Sequence, residues 1–168
     1  HSIVAENLPE GVTASYEENE KVEAGTYTVV VSFTGDANNY ELIPSQEVTL
    51  VINKATYDMS EITLEGKTVT YNGNAQEIVI RGTLPEGVTV SYEGNGKVNA
   101  GTYTVVAKFE GNENYNTIED MSATLVIEKA TYDMSEVTYT GTEVTYNGEV
   151  HSIVAENLPE GVTASYEE

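Results

Sequence analysis

The amino-acid sequence predicts an all-β protein built from small β-sandwich domains in series. Three observations carry this. The strand-like segments alternate apolar and polar residues at period two, as in Tyr103, Val105, Ala107 and Phe109 against Thr104, Val106, Lys108 and Glu110. Such segments recur every 8–15 residues with Gly, Pro and Asn between them, and none shows a sustained helical period. Finally, the chain repeats itself.

Residues 1–18 recur unchanged at 151–168, a long period of 150. A shorter, diverged period lies inside it. KATYDMSEIT at 54–63 returns as KATYDMSEVT at 129–138, TVTYNG at 68–73 as EVTYNG at 143–148, and AGTYTVV at 24 as the same heptapeptide at 100. GDANNY (35–40) is one residue longer than GNENY (111–115), whereas IVAENLPEG (3–11) is one shorter than IVIRGTLPEG (78–87). Both changes fall in connections, which tolerate insertion. The frame that follows is a complete domain of 75 residues at 54–128. Residues 1–53 form the later part of its sister, lacking the first strands. Residues 129–168 form the opening part of the next repeat, and 129–150 encode the strands that 1–53 lack. The chain reads as a window on a longer array, with 129–150 of one copy set against 1–53 of the next by covalent continuity or by strand exchange.

The elements of 54–128 follow in order. Ile62–Leu64 reads as a short first strand, and Val69–Tyr71 as a second ending at the type I′ turn signal Asn72-Gly73. Gln76–Arg81 alternates, with Ile78 and Ile80 inward, and Leu84-Pro85-Glu86-Gly87 turns the chain. Val88, Val90 and Tyr92 face in along the next strand, and Asn95-Gly96 turns again. The central strand spans 101–110 and should pair on both sides. A polar loop at 111–116 leads to the last strand, with Ala123, Leu125 and Ile127 inward. The alternative architecture is a β-grasp, which would lay a helix across the sheet.

Composition narrows the partners. With 28 acidic and 7 basic residues the net charge is −21, a field that repels nucleic acid and anionic membrane surfaces. No run of 18 apolar residues offers membrane insertion. Without cysteine there are neither disulfides nor thiolate metal sites. Twelve tyrosines against two phenylalanines make the aromatic bulk amphipathic, which suits thin sandwiches where the hydroxyl must reach a partner.

Tyr71-Asn72-Gly73, Leu84–Tyr92 and Asn99–Phe109, followed by ATLVIEKATYD, resemble the MBG-type repeats of bacterial surface proteins, within the bacterial immunoglobulin-like modules. The resemblance runs through the whole chain. It implies tandem immunoglobulin-like sandwiches of a cell-wall or secreted protein, adhesive or spacing in role, with no catalytic residues to carry over. The Gly-Thr-Tyr opening of the long strand resembles a tyrosine corner, with Tyr27 and Tyr103 bonding back to upstream backbone.

Candidate chemistry is sparse. His1 and His151 occupy one repeat position, and Ser2 and Ser152 beside them point to the opposite face of a strand, so no nucleophile–base pair forms. The acidic candidates for a junction calcium are Asp36 with Asn38, Glu113 with Asn114, and the Asp58–Glu61 and Asp133–Glu136 stretches. None approaches the ligand density calcium requires, so no metal, cofactor or catalytic residue is expected. Lys54 and Lys129 continue the inward phase of their strands, which suits a lysine–asparagine crosslink or, more simply, a boundary lysine with its amine in water. Tyr40, Tyr57, Tyr115 and Tyr132 are the loop aromatics that a host glycan or protein would meet. A non-enzymatic stalk module at the cell surface is the leading expectation, with direct adhesion and a strand-completed fibre behind it. In each case the partners are neighbouring repeat domains of the same or an adjacent chain.

Overall fold

A computed structural model of the chain describes residues 1–167. The described residues are all-β, with seven strands in two sheets. β1 (Thr13–Glu17), β2 (Gly25–Thr34) and β3 (Gln46–Ile52) form an antiparallel sheet in the order β1-β2-β3. β4 (Lys67–Thr70), β5 (Thr89–Glu93), β6 (Gly101–Glu110) and β7 (Met121–Glu128) form the second, in the order β4-β7-β6-β5.

The long strand β6 is central, as expected. It pairs antiparallel with β5 from Thr89↔Glu110 to Glu93↔Val106, and with β7 from Gly101↔Ile127 to Ala107↔Met121. Its alternation sets the core: Val105 and Ala107 are fully buried and Phe109 nearly so, while Thr104 and Glu110 face water. Leu125 and Ile127 of β7 lie on the same face. Covering that face are the extended segments 57–64 and 76–84, which send Ile62, Leu64, Ile78, Ile80 and Leu84 down onto the sheet. The result is a thin sandwich.

Two local expectations need correction. The covering segments are not regular strands: Ile62–Leu64 and Gln76–Arg81 meet through one antiparallel bridge, Thr63↔Arg81, with N–H···O distances of 3.1 and 2.8 Å. Their apolar residues anchor by burial rather than by a ladder. Nor does Asn72-Gly73 make a type I′ hairpin. Gly73 has φ +79° but Asn72 does not have the positive φ such a turn needs, and the Asn72 side chain instead accepts the Asn74 N–H at 3.0 Å. β4 therefore pairs in parallel with β7 (Lys67↔Leu125 to Thr70↔Glu128), and the chain after it crosses to the other layer.

Side-chain devices recur at matching positions. The Tyr92 hydroxyl accepts the Ile80 N–H at 3.0 Å, Tyr16 accepts that of Ala5 at 2.7 Å, and Tyr166 that of Ala155 at 2.6 Å. Asn95 brackets Ile78, accepting its N–H at 2.9 Å and donating to its carbonyl at 2.7 Å, and Asn19 does the same to Ile3. These bonds replace the missing ladder of the covering layer, satisfying backbone that would otherwise be buried unpaired. The tyrosine corners are present: Tyr103 donates to the Asn99 carbonyl at 2.8 Å, and Tyr27 to that of Glu23 at 2.9 Å.

The repeat predicts the same strand, turn and strand for 151–168 as for 1–18; residue 168 lies outside the described residues, and 151–167 share the turn of residues 1–17 but not its strand. The Val162 N–H reaches the Pro159 carbonyl at 3.0 Å where Val12 reaches Pro9 at 3.1 Å, and Gly161 and Gly11 both sit at φ +80°. Asn157 and Asn7 match at +58° and +57°. The difference lies at 163–167, which are not a strand, whereas the same sequence at 13–17 is β1, held by β2.

Candidate functional site

The polar loop after β6 joins the two sheets. Asn112 caps its own turn by accepting the Asn114 N–H at 2.8 Å, which frees the Asn114 side chain to point outward. That carboxamide accepts the Ala24 N–H at 2.6 Å and donates to the Glu23 carboxylate, both at the approach to β2 of the other sheet. Behind it the backbone leaving β3 is gripped: Ala55 N–H donates to the Asn114 carbonyl at 2.9 Å, and Asn116 N–H to the Ala55 carbonyl at 2.7 Å. The Asn116 side chain donates to the Thr56 hydroxyl at 2.9 Å. Tyr57 then stacks on Tyr115, rings 4.0 Å apart and 14° from parallel, and its hydroxyl accepts the Asn112 N–H at 2.9 Å. Gly111 makes room for this ring, because a Cβ there would lie 2.4 Å from Tyr57 Cε2.

The counterpart loop at 35–40 has no such occupant. Asp36 caps it, accepting the Asn39 side chain at 2.6 Å and the Asn38 N–H at 3.0 Å, and these two donors hold its carboxyl below the ordinary aspartate range. Tyr40 is 76% exposed, and around it opens a largely apolar groove of about 550 Å³, lined by Pro9, Val12, Phe33, Gly35, Tyr40 and Ile43. A second groove, of about 310 Å³, lies at the other end of the four-stranded sheet, between Tyr71, Ala100 and Lys129–Tyr132.

The sequence candidates distribute as follows. Of the four loop tyrosines, Tyr57 and Tyr115 are stacked and half-buried, whereas Tyr40 and Tyr132 stand open. His1 and His151 are exposed, and His151 Nε2 lies 2.9 Å from Asn147 Oδ1. Asp58 and Asp133 each close a local turn, accepting the Ser60 and Ser135 N–H at 3.0 and 2.9 Å. Among the described residues, no three histidine or carboxylate side chains converge. Asn114, flagged only as a possible calcium neighbour of Glu113, is instead the contact between the sheets. Lys54 and Lys129 are exposed. The apolar groove lies where the first strands that residues 1–53 lack predict an unfilled core.

The fold and these contacts define a small all-β module that meets its neighbour through a loop and a strand end. The family model of the MBG domain matches residues 60–131, the stretch that carries the resemblance at Tyr71–Gly73, Leu84–Tyr92 and Asn99–Phe109. No curated protein matches the chain. No helix among the described residues is long and apolar enough to cross a membrane.

Proposed function

We propose that the chain is a non-enzymatic spacer segment of an extracellular bacterial surface protein, its modules 1–53, 54–128 and 129–168 running end to end. The observation that carries this is the Asn114 bridge to Ala24 and Glu23, together with the continuous path Lys54–Tyr57 from β3 into the next layer without a glycine. A glycine-free connection bonded on both sides cannot act as a flexible tether. Stacked this way, each module adds roughly 30–40 Å, about the span of a ten-residue strand and its loops at ~3.3 Å per residue. Uniform negative charge supports the role, because like-charged neighbouring stalks stay apart.

Small-angle scattering from the chain tests the reading. The expected profile is rod-like, and Asn114→Ala should broaden the distribution of lengths without unfolding the four-stranded sheet. A compact profile would defeat the spacer. Direct adhesion is the second reading, favoured by the open rings of Tyr40 and Tyr132. A glycan array separates the two, since a spacer leaves it blank.

A further inference from the structure

We propose that β4 and β7 form a mechanical clamp, which makes module 54–128 resist tension applied along the chain through Lys54 and Lys129. The path of the force is set by where the chain enters and leaves the four-stranded sheet. It enters at Ala55, whose N–H donates to the Asn114 carbonyl at 2.9 Å and whose carbonyl accepts the Asn116 N–H at 2.7 Å, a parallel bridge with Tyr115. The loop that holds Ala55 follows the end of β6 where Ala107 meets Met121, the first residue of β7. The chain leaves after Glu128, the last residue of β7. Entry and exit therefore sit at opposite ends of β7, and tension between them runs along the strands. Only this direction of pull rests on the spacer reading.

A ladder of the matching sense stands between those points. β4 runs parallel to β7 from Lys67↔Leu125 to Thr70↔Glu128, and the Tyr71 N–H extends it to the Glu128 carbonyl at 2.8 Å. Tension draws β4 back toward its own N-terminus and β7 on toward its C-terminus. Parallel strands pulled in this way must slide past each other, so all the ladder bonds are strained together instead of in turn.

The side chains oppose the same slide. Val69 of β4 packs on Ile78, Val105, Leu125 and Ile127, all buried. Slipping β4 by one residue would turn Val69 outward and bring a threonine, Thr68 or Thr70, onto that core. Gly66 lets the backbone close on β7 where the ladder begins, since a Cβ there would lie 3.0 Å from the Thr124 carbonyl oxygen. Forced rupture reads the barrier to unfolding, so resistance to pulling is a property separate from equilibrium stability.

The chain has no cysteine, so paired cysteine substitutions give unambiguous handles on its full length. Lys54→Cys with Lys129→Cys loads the ladder in shear. Asn74→Cys with Lys129→Cys pulls from the end where Thr70 and Glu128 lie side by side, and peels the same ladder bond by bond. All three positions are exposed, so the two variants should share a denaturant midpoint and differ only in the direction of force. In single-molecule pulling at one speed, shear should need about twice the peeling force or more. It should release about 220 Å of chain, 75 residues at ~3.4 Å each less a folded span of roughly 30 Å. Proline gives a second readout. Because the Tyr71 N–H faces β7, alternation puts the Val69 N–H on that side and the Thr68 N–H on the open edge. In shear, Val69→Pro should lower the rupture force to about half or less, and Thr68→Pro should leave it nearly unchanged. Equal forces in the two directions, or equal losses from the two prolines, would overturn the clamp. A compact scattering profile would sink the rod without touching this result, and equal forces would leave the rod standing, so the two readings fail separately.

Discussion

The two sheets share a central strand of nearly the same sequence yet bury it differently. Val29 and Val31 are as buried in β2 as Val105 and Ala107 in β6. One layer outward the likeness ends. Leu125, Ile127, Phe109 and Val88 are buried, whereas Leu50, Ile52, Phe33 and Val12 at the matching positions are half-buried. The residues that differ are those beneath segment 57–70 in one sheet, and in the other beneath nothing among the described residues. A strand's alternation decides which face is apolar, but what lies across that face decides how dry it becomes.

Truncating a matched pair of leucines should expose this difference most strongly. Leu125→Ala removes a fully buried side chain and leaves a cavity, at a cost of about 3 kcal/mol. Leu50→Ala removes a side chain already half in water and should cost about 1 kcal/mol. Native-state amide exchange on β7 and β3 reads each sheet separately. Equal losses would mean that the two cores are equally closed.

The matched glycines come next. Gly111→Ala forces a Cβ into a stacked ring and should cost roughly 2 kcal/mol, as overpacking typically does. Gly35→Ala places its Cβ at ordinary contact distance and should be close to neutral, with denaturant midpoints checking both.

Much of this was legible in the residues. The bounds of β6, its pairing on both sides and the inward set Leu125 and Ile127 followed from alternation, and the corner bonds of Tyr27 and Tyr103 from the resemblance of the Gly-Thr-Tyr opening to a tyrosine corner. What period two could not convey was whether an alternating segment finds a ladder. Gln76–Arg81 alternates as well as any strand, but its backbone is satisfied by Asn95, Tyr92 and two isolated bridges, Gln76↔Lys97 and Thr63↔Arg81. Residues 163–167 make the same point, since they repeat β1 but pair with no strand among the described residues. The Asn114 contact was hidden for a further reason: an asparagine in a polar loop has the same composition whether it faces water or another sheet.

The smallest expected effect concerns two aspartates of identical context. Asp58 and Asp133 are both held below the ordinary aspartate value of 3.8 by the serine two residues on, through its side chain and its backbone N–H. Because the cause is local, NMR titration should find the two carboxyls equally depressed, although Asp58 precedes buried Ile62 and Asp133 precedes exposed Met134. The consequences should differ. A carboxyl depressed in the folded state contributes stability that is present above its unfolded pKa and lost as pH falls through the folded one. Acidifying below 3.8 should therefore loosen the Asp58 turn and speed exchange at the Ile62 N–H, which bonds the Met59 carbonyl at 3.0 Å. The matching N–H of Val137, bonded to Met134 at 3.1 Å, anchors no closed core, and its exchange should already be fast at neutral pH. Both shifts come from contacts with the adjacent serine rather than from distant charges, so they should persist in added salt. Shifts that vanish in salt, or that differ between Asp58 and Asp133, would show that the surrounding field rather than the turn sets them.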